Sequence, residues 1–177
     1  MILFKYNQII YLQMEYIKEQ LLTTTILLHS KEASKTNSID GLLKYKIKNE
    51  NENVCSKHGY ILKDSVIIKN RSVGKVVNHN DESMIEYQIT MKMNVIYPCE
   101  KDIFTCKVDN ITKMGMIGYL SLGDYTIETS PIIFIIPLEY TDDTGGLSKD
   151  KEVKVEVLQS RIKYKARQIQ VVGKIVD

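Results

Sequence analysis

The stretch NVIYPCEKDIFTCKVDNITKMGMIGYL, residues 94–120, decides how this chain is divided. An apolar run meets Pro98, a short charged turn follows, and two further strand-like segments hinge on Lys113-Met114-Gly115. Proline lacks the N–H that a strand ladder needs, so a strand that stops at Pro98 and is followed by a fresh period-two pattern marks a boundary between two small β-rich units.

Upstream of that boundary, Tyr87, Ile89, Met91, Met93 and Val95 alternate with Glu86, Gln88, Thr90, Lys92 and Asn94, which gives a strand with one apolar face. LLTTTILLH, 21–29, reads as another strand because its threonines and β-branched residues suit a half-buried pleated surface. Between them, TNSIDGLLKYKIKNENEN, 36–53, offers Asn37 or Ser38 as a helix N-cap and Ile39, Leu42, Leu43 and Ile47 at helical spacing. Gly41 weakens that helix by about 1 kcal/mol relative to alanine. A helix packed on a small antiparallel sheet buries both apolar faces. Downstream, Phe104, Cys106 and Val108 alternate in a first strand and MGMIGYLSL, 114–122, forms a second. PIIFIIP, 131–137, is a proline-bounded third, Val153, Val155 and Val157 mark a fourth, and KARQIQVVGKIVD, 165–177, is a fifth. A long polar loop, 138–151, separates the third from the fourth; its TGGLSK, 144–149, lacks the ending of a phosphate-binding loop and reads as a turn. Five short strands with that interruption fit the OB-fold barrel. The expected class is therefore α+β: a small antiparallel sheet with a helix over 14–98, then an OB-fold over 99–177, with 1–13 as an extension of uncertain status.

The bulk numbers agree with two small cores. The chain has 177 residues, of which 44% are hydrophobic, enough to fill them. A net charge of +2 is too small for a free-standing nucleic-acid binder that gains affinity by neutralising many phosphates, so a nucleic-acid role has to be local or assisted. Three cysteines, Cys55, Cys99 and Cys106, make no disulfide framework, and nothing resembles a cleavable leader, which points to an intracellular, reducing compartment. The opening MILFKYNQIIYL is interrupted by Lys5, Asn7 and Gln8 well short of the roughly 20 residues of a membrane span. Arg71, Arg161 and Arg167 are the only arginines among many lysines, isoleucines and asparagines, a bias that AT-rich codons produce.

From about Met14 onward the chain resembles the larger stalk subunit of multisubunit RNA polymerases, the seventh subunit of the eukaryotic polymerase II and its counterpart in the archaeal enzyme. The pieces that carry the resemblance stand in order: ILLH in the opening strand, the short helix, CSKHGYIL at 55–62, the turn around RSVGK at 71–75, the strand ending in YP at 97–98, KVDNITKMGMIGYL at 107–120 and SPIIFIIP at 130–137. Lys101 stands where the family tends to carry glycine, and Ile117 where an aromatic often follows the Lys-x-Gly turn. The resemblance implies a tip domain followed by an OB-fold of the ribosomal protein S-one type. It also implies a non-catalytic subunit, docking on the polymerase core beside the clamp through Arg71, Gly74 and Lys75, pairing with a smaller stalk subunit and contacting nascent single-stranded RNA. Composition together with the divergent barrel looks most like the stalk subunits of large DNA viruses. The implied place is then the host cytoplasm or the virion, or the nucleus for a cellular eukaryotic protein.

Chemistry is otherwise sparse. Cys55 and His58 have a ligand-like spacing, but structural zinc takes four ligands, and Cys99 and Cys106 fall on opposite faces of what reads as one strand. No metal, cofactor or catalytic constellation is expected; His29 and His79 have no nucleophile or paired carboxylate near them in sequence. From 99 to 177 there are eleven basic and twelve acidic residues, yet 161–174 carries Arg161, Lys163, Lys165, Arg167 and Lys174 with no acid. On a regular strand Lys163, Lys165 and Arg167 share a face, with Tyr119 available for a base to stack on. Lys107 and Lys113 complete the candidate RNA-binding set. The alternative is a solvated edge strand whose lysines discourage unwanted pairing.

Overall fold

A computed structural model of the chain describes residues 16–141 and 147–176. The extension 1–13 and the first half of the TGGLSK stretch lie outside them. The protein is mostly β, with few helices, and its described residues fall into two compact units. One comprises 16–18, 53–60 and the residues from 96 onward; the other comprises 19–52 and 61–95. The division thus falls at Val95/Ile96 rather than at Pro98, and the segment 53–60 groups with the C-terminal part.

In the 19–52 and 61–95 unit, the long strand β6 (Glu82–Ile96) is central. Strand β1 (Ile17–His29) lies along one of its edges, and β4 (Ile67–Arg71) and β5 (Lys75–His79) pair antiparallel with the other. The alternation read from sequence is realised: Ile89, Met91, Met93 and Val95 are fully buried and Tyr87 nearly so. Helix α1 (Ser30–Lys35) buries no residue, and α2 (Ile39–Asn51) lays Leu43 and Ile47 into the same core as Ile26 and Leu28. The Ser38 hydroxyl accepts the Gly41 N–H at 3.1 Å, which makes Ser38 rather than Asn37 the N-cap. Ser38→Ala is expected to cost this unit about 1 kcal/mol, read as a lower chemical-denaturation midpoint with unchanged slope.

The other unit holds a short hairpin, β2 (Cys55–Ser56) with the Gly59–Tyr60 part of β3 (Gly59–Ile61), and a closed barrel of five strands: β7 (Ile103–Thr112), β8 (Gly115–Leu120), β9 (Ile132–Pro137), β10 (Glu152–Arg161) and β11 (Ile169–Val176). Around the barrel the order is β7-β8-β9-β11-β10, with β10 returning to β7. Every pairing is antiparallel except β9 with β11, which is parallel. This mixed, closed five-stranded barrel is compatible with an OB-fold. Inward residues Phe104, Cys106, Val108, Phe134, Val155 and Val171 fill it, with the Phe104 and Phe134 rings 5.9 Å apart and Tyr16 stacked on Phe104 at 4.3 Å.

Two local expectations need correction. The fifth strand starts at Ile169, so residues 162–168 form the β10–β11 loop and the alternation argument for Lys163, Lys165 and Arg167 does not apply. Cys99 lies in a turn before β7 rather than on the strand of Cys106, so the parity argument against a shared ion fails in its premise. Cys55 and Cys106 are fully buried, and desolvation pushes their thiols up to about 11 and about 12. Because the thiolate is the reactive form, a thiol reagent at neutral pH is expected to modify Cys99 first and the other two only on unfolding, a pattern that peptide mapping of the labelled protein checks.

Candidate nucleic-acid interface

The barrel places the six candidate RNA-binding residues in three separate groups. Lys107 and Tyr119 face each other across β7 and β8. Lys113 is exposed in the turn between those strands, beside Met114. Lys163, Lys165 and Arg167 are exposed in the β10–β11 loop. Strand directions set the last two groups at opposite ends of the barrel: β7 runs towards Lys113, and its antiparallel neighbour β10 runs the other way into the loop.

The Lys107–Tyr119 group is poorly suited to stacking a base. Tyr119 is only 9% exposed, so it offers no open ring face. The Lys107 ammonium is paired with Asp150 at 3.2 Å, and that hydrogen bond, with the Tyr119 oxygen adding to it, raises the lysine pKa. Across the neighbouring outer face, Ile117 is in register with Ile135, and Ile135 with Val172: an aliphatic row without an aromatic or a cation.

The β10–β11 loop is different because its backbone is fixed while its side chains are open. The Lys165 N–H donates to the Cys55 carbonyl at 2.8 Å, and the Cys55 N–H donates to the Ala166 carbonyl at 2.7 Å, so the loop is laddered to the β2–β3 hairpin. Gln168 Nε2 donates to the carbonyls of Ile127 at 2.6 Å and Ser130 at 3.1 Å, which holds the far end. Lys165 adopts φ +61°, a left-handed turn that breaks any strand continuing from β10. On this frame Tyr164 is 76% exposed, with the Lys165 ammonium 5.7 Å from its ring centre, within cation–π reach. Among the described residues, Arg161, Lys163 and Arg167 take part in no ion pair, whereas Lys174 is paired with Glu156 at 3.3 Å. An edge-strand role for these lysines does not arise, since β10 and β11 each have two barrel neighbours.

Sequence reasoning passed over Tyr164, Tyr97 and Lys57, which belong to this surface. The signal for Tyr164 was present in RIKYKAR, 161–167, where a tyrosine sits between cations, the pattern of a stacking platform with phosphate contacts. Tyr97 and Lys57 carry no such local signal.

Two of the three expected docking residues, Arg71 and Gly74, are engaged within their own unit. Arg71 pairs with Asp40 of α2 and lies over the Tyr87 ring at 5.7 Å. Gly74 is closely packed from the side-chain side: a Cβ there would meet Ile85 Cγ2 at 2.7 Å and the Tyr87 ring at 2.8 Å, so those side chains would have to shift. Lys75 is exposed at the start of β5, in register with Glu86. Val73 beside them is 89% exposed. Among the described residues no group of three or more His, Cys, Asp or Glu is placed to hold a metal ion, and no helix is long and apolar enough to cross a membrane. Compared with protein-family models and with curated proteins, the chain matches none.

Proposed function

We propose that this chain is a non-catalytic stalk subunit of a DNA-directed RNA polymerase. Its barrel is read as an OB-fold of the ribosomal protein S-one type, and its sheet-and-helix unit as the tip that docks on the polymerase core near the clamp. The observation that carries the RNA-contacting part of this reading is the β10–β11 loop, where exposed Lys163, Tyr164, Lys165 and Arg167 stand on a backbone laddered to Cys55. The collinear resemblance from Met14 onward supports the polymerase part. A handful of phosphate contacts gives weak binding with a shallow salt dependence, which suits a subunit that a larger machine holds close to the emerging transcript. In this role the chain binds and guides; nucleotide transfer belongs to the core subunits.

Partner identification from native extract tests the reading. A tagged protein is expected to bring down the large polymerase subunits and a small stalk partner in near-equal amounts. A free monomer that binds RNA tightly without them replaces this reading with a stand-alone RNA-binding protein acting in translation or RNA decay.

A further inference from the structure

We infer that the cleft between Tyr97 and Tyr164 seats an unpaired base of single-stranded RNA, an inference that rests on the RNA-contacting reading above. The cleft has a volume of about 400 Å³ and is lined by Ser56, Lys57, Tyr97, Ser160, Ile162 and Tyr164. Its walls and rim have separate chemistry. Tyr164 is 76% and Tyr97 40% exposed, two aromatic side chains lining one opening, and Ile162 adds an apolar lining. Lys57, Lys163 and Arg167 are exposed cations on the two segments that form the rim, and 161–174 contains no acid to oppose a phosphate.

The cleft is also preformed. Tyr97 precedes a proline, which holds its backbone away from helical angles, and Pro98 itself is buried. The Ser160 hydroxyl donates to the Pro98 carbonyl at 3.0 Å and the Ser56 hydroxyl donates to the Gly59 carbonyl at 3.0 Å, so both are held in place. The loop carrying Tyr164 is laddered to Cys55, one residue before Ser56. A base that enters therefore orders little of the protein, and stacking is gained without a large entropic cost. A pyrimidine or purine is favoured over an acidic peptide because carboxylates satisfy the cations and leave two tyrosine faces unused. Stacking is tolerant of base identity because every base presents a π face.

Binding of the full chain to a fluorescent oligouridine of about twelve nucleotides, the span of an OB-fold site, is compared with binding to an abasic strand of the same length. Tyr164→Ala and Tyr97→Ala are each expected to weaken oligouridine binding about tenfold, the size of one lost base–aromatic stack, and to leave the weaker binding of the abasic strand unchanged. Tyr164→Phe is expected to bind as the wild type does. Lys163→Glu weakens both strands. If charge reversal at Lys163 weakens binding while both alanine variants bind oligouridine like the wild type, the base subsite is overturned and the RNA reading stands. If the wild type binds neither strand, the RNA reading falls and takes the subsite with it. An oligoglutamate peptide that competes as well as oligouridine assigns the cleft to an acidic protein segment instead. Thermal melting of each variant confirms that it is folded.

Discussion

Changing Lys163, Lys165 and Arg167 together to glutamate is expected to lower the affinity for single-stranded RNA about a hundredfold at about 0.1 M salt, and to flatten the salt dependence. Each phosphate contact with a single strand contributes about 0.7 to the slope of log affinity against log salt. Three lost contacts remove about 2 from that slope, which is a factor of about a hundred between 1 M and 0.1 M salt. All three side chains are exposed, so the fold has little stake in them. Lys113→Glu is the matched control, an exposed cation at the opposite end of the barrel. It is expected to cost no more than about fivefold, the value of a single contact. Anisotropy titrations at several salt concentrations measure both quantities. Equal slopes for the wild type and the triple variant would remove the loop from the interface, as would a larger loss at Lys113 than at the loop. In the polymerase the same triple variant should crosslink less to nascent RNA and assemble normally.

Gly115→Ala is expected to unfold the barrel. Gly115 sits at φ +138°, a conformation that L side chains rarely adopt, at the start of β8 and directly across from Pro137. An added Cβ would meet the Ile136 carbonyl oxygen at 2.1 Å and Pro137 Cα at 2.9 Å. Both obstacles are backbone atoms of the paired strand, so no rotamer change relieves them; β8 and β9 have to separate. Strain of this kind together with lost pairing costs at least about 3 kcal/mol, a large part of the stability of a small unit. Gly123→Ala isolates the conformational part. Gly123 has φ +57° with nothing within 4 Å of its ideal Cβ, and the change should cost about 1 kcal/mol. Chemical denaturation followed by circular dichroism compares the two. A Gly115→Ala protein as stable as Gly123→Ala would mean that β8 and β9 do not pair as described.

The difference between what was legible in the sequence and what was not follows from the range of the forces involved. Tyr87 to Val95 declared their strand because burial on one face imposes a period of two, which sequence carries directly. The first and fourth barrel strands were visible for the same reason, and the third as an apolar run closed by a proline at each end. Helix α1 was missed because Ser30–Lys35 buries nothing and so has no periodicity to display. The basic segment was legible as charge but not as shape. Lys163 to Arg167 alternate as a strand would, yet the left-handed turn at Lys165 and the bonds to Cys55, more than a hundred positions earlier, make it a loop. Tyr97 and Lys57 reach the same cleft from segments forty residues apart, a proximity that only the folded chain creates. Gly74 and Arg71 looked like surface features of a turn because nothing local reveals that Tyr87 lies beneath one and beside the other.

The parallel pairing of Ile169–Val176 with Ile132–Pro137 has a consequence for biosynthesis. The strand that shuts the barrel is the last of the five to leave the ribosome, and until it arrives β9 and β10 each present a bare hydrogen-bonding edge above an open hydrophobic interior. A nascent chain in that state is a substrate for chaperones, and one released by a premature stop before Ile169 would keep those edges for good and be driven towards aggregation.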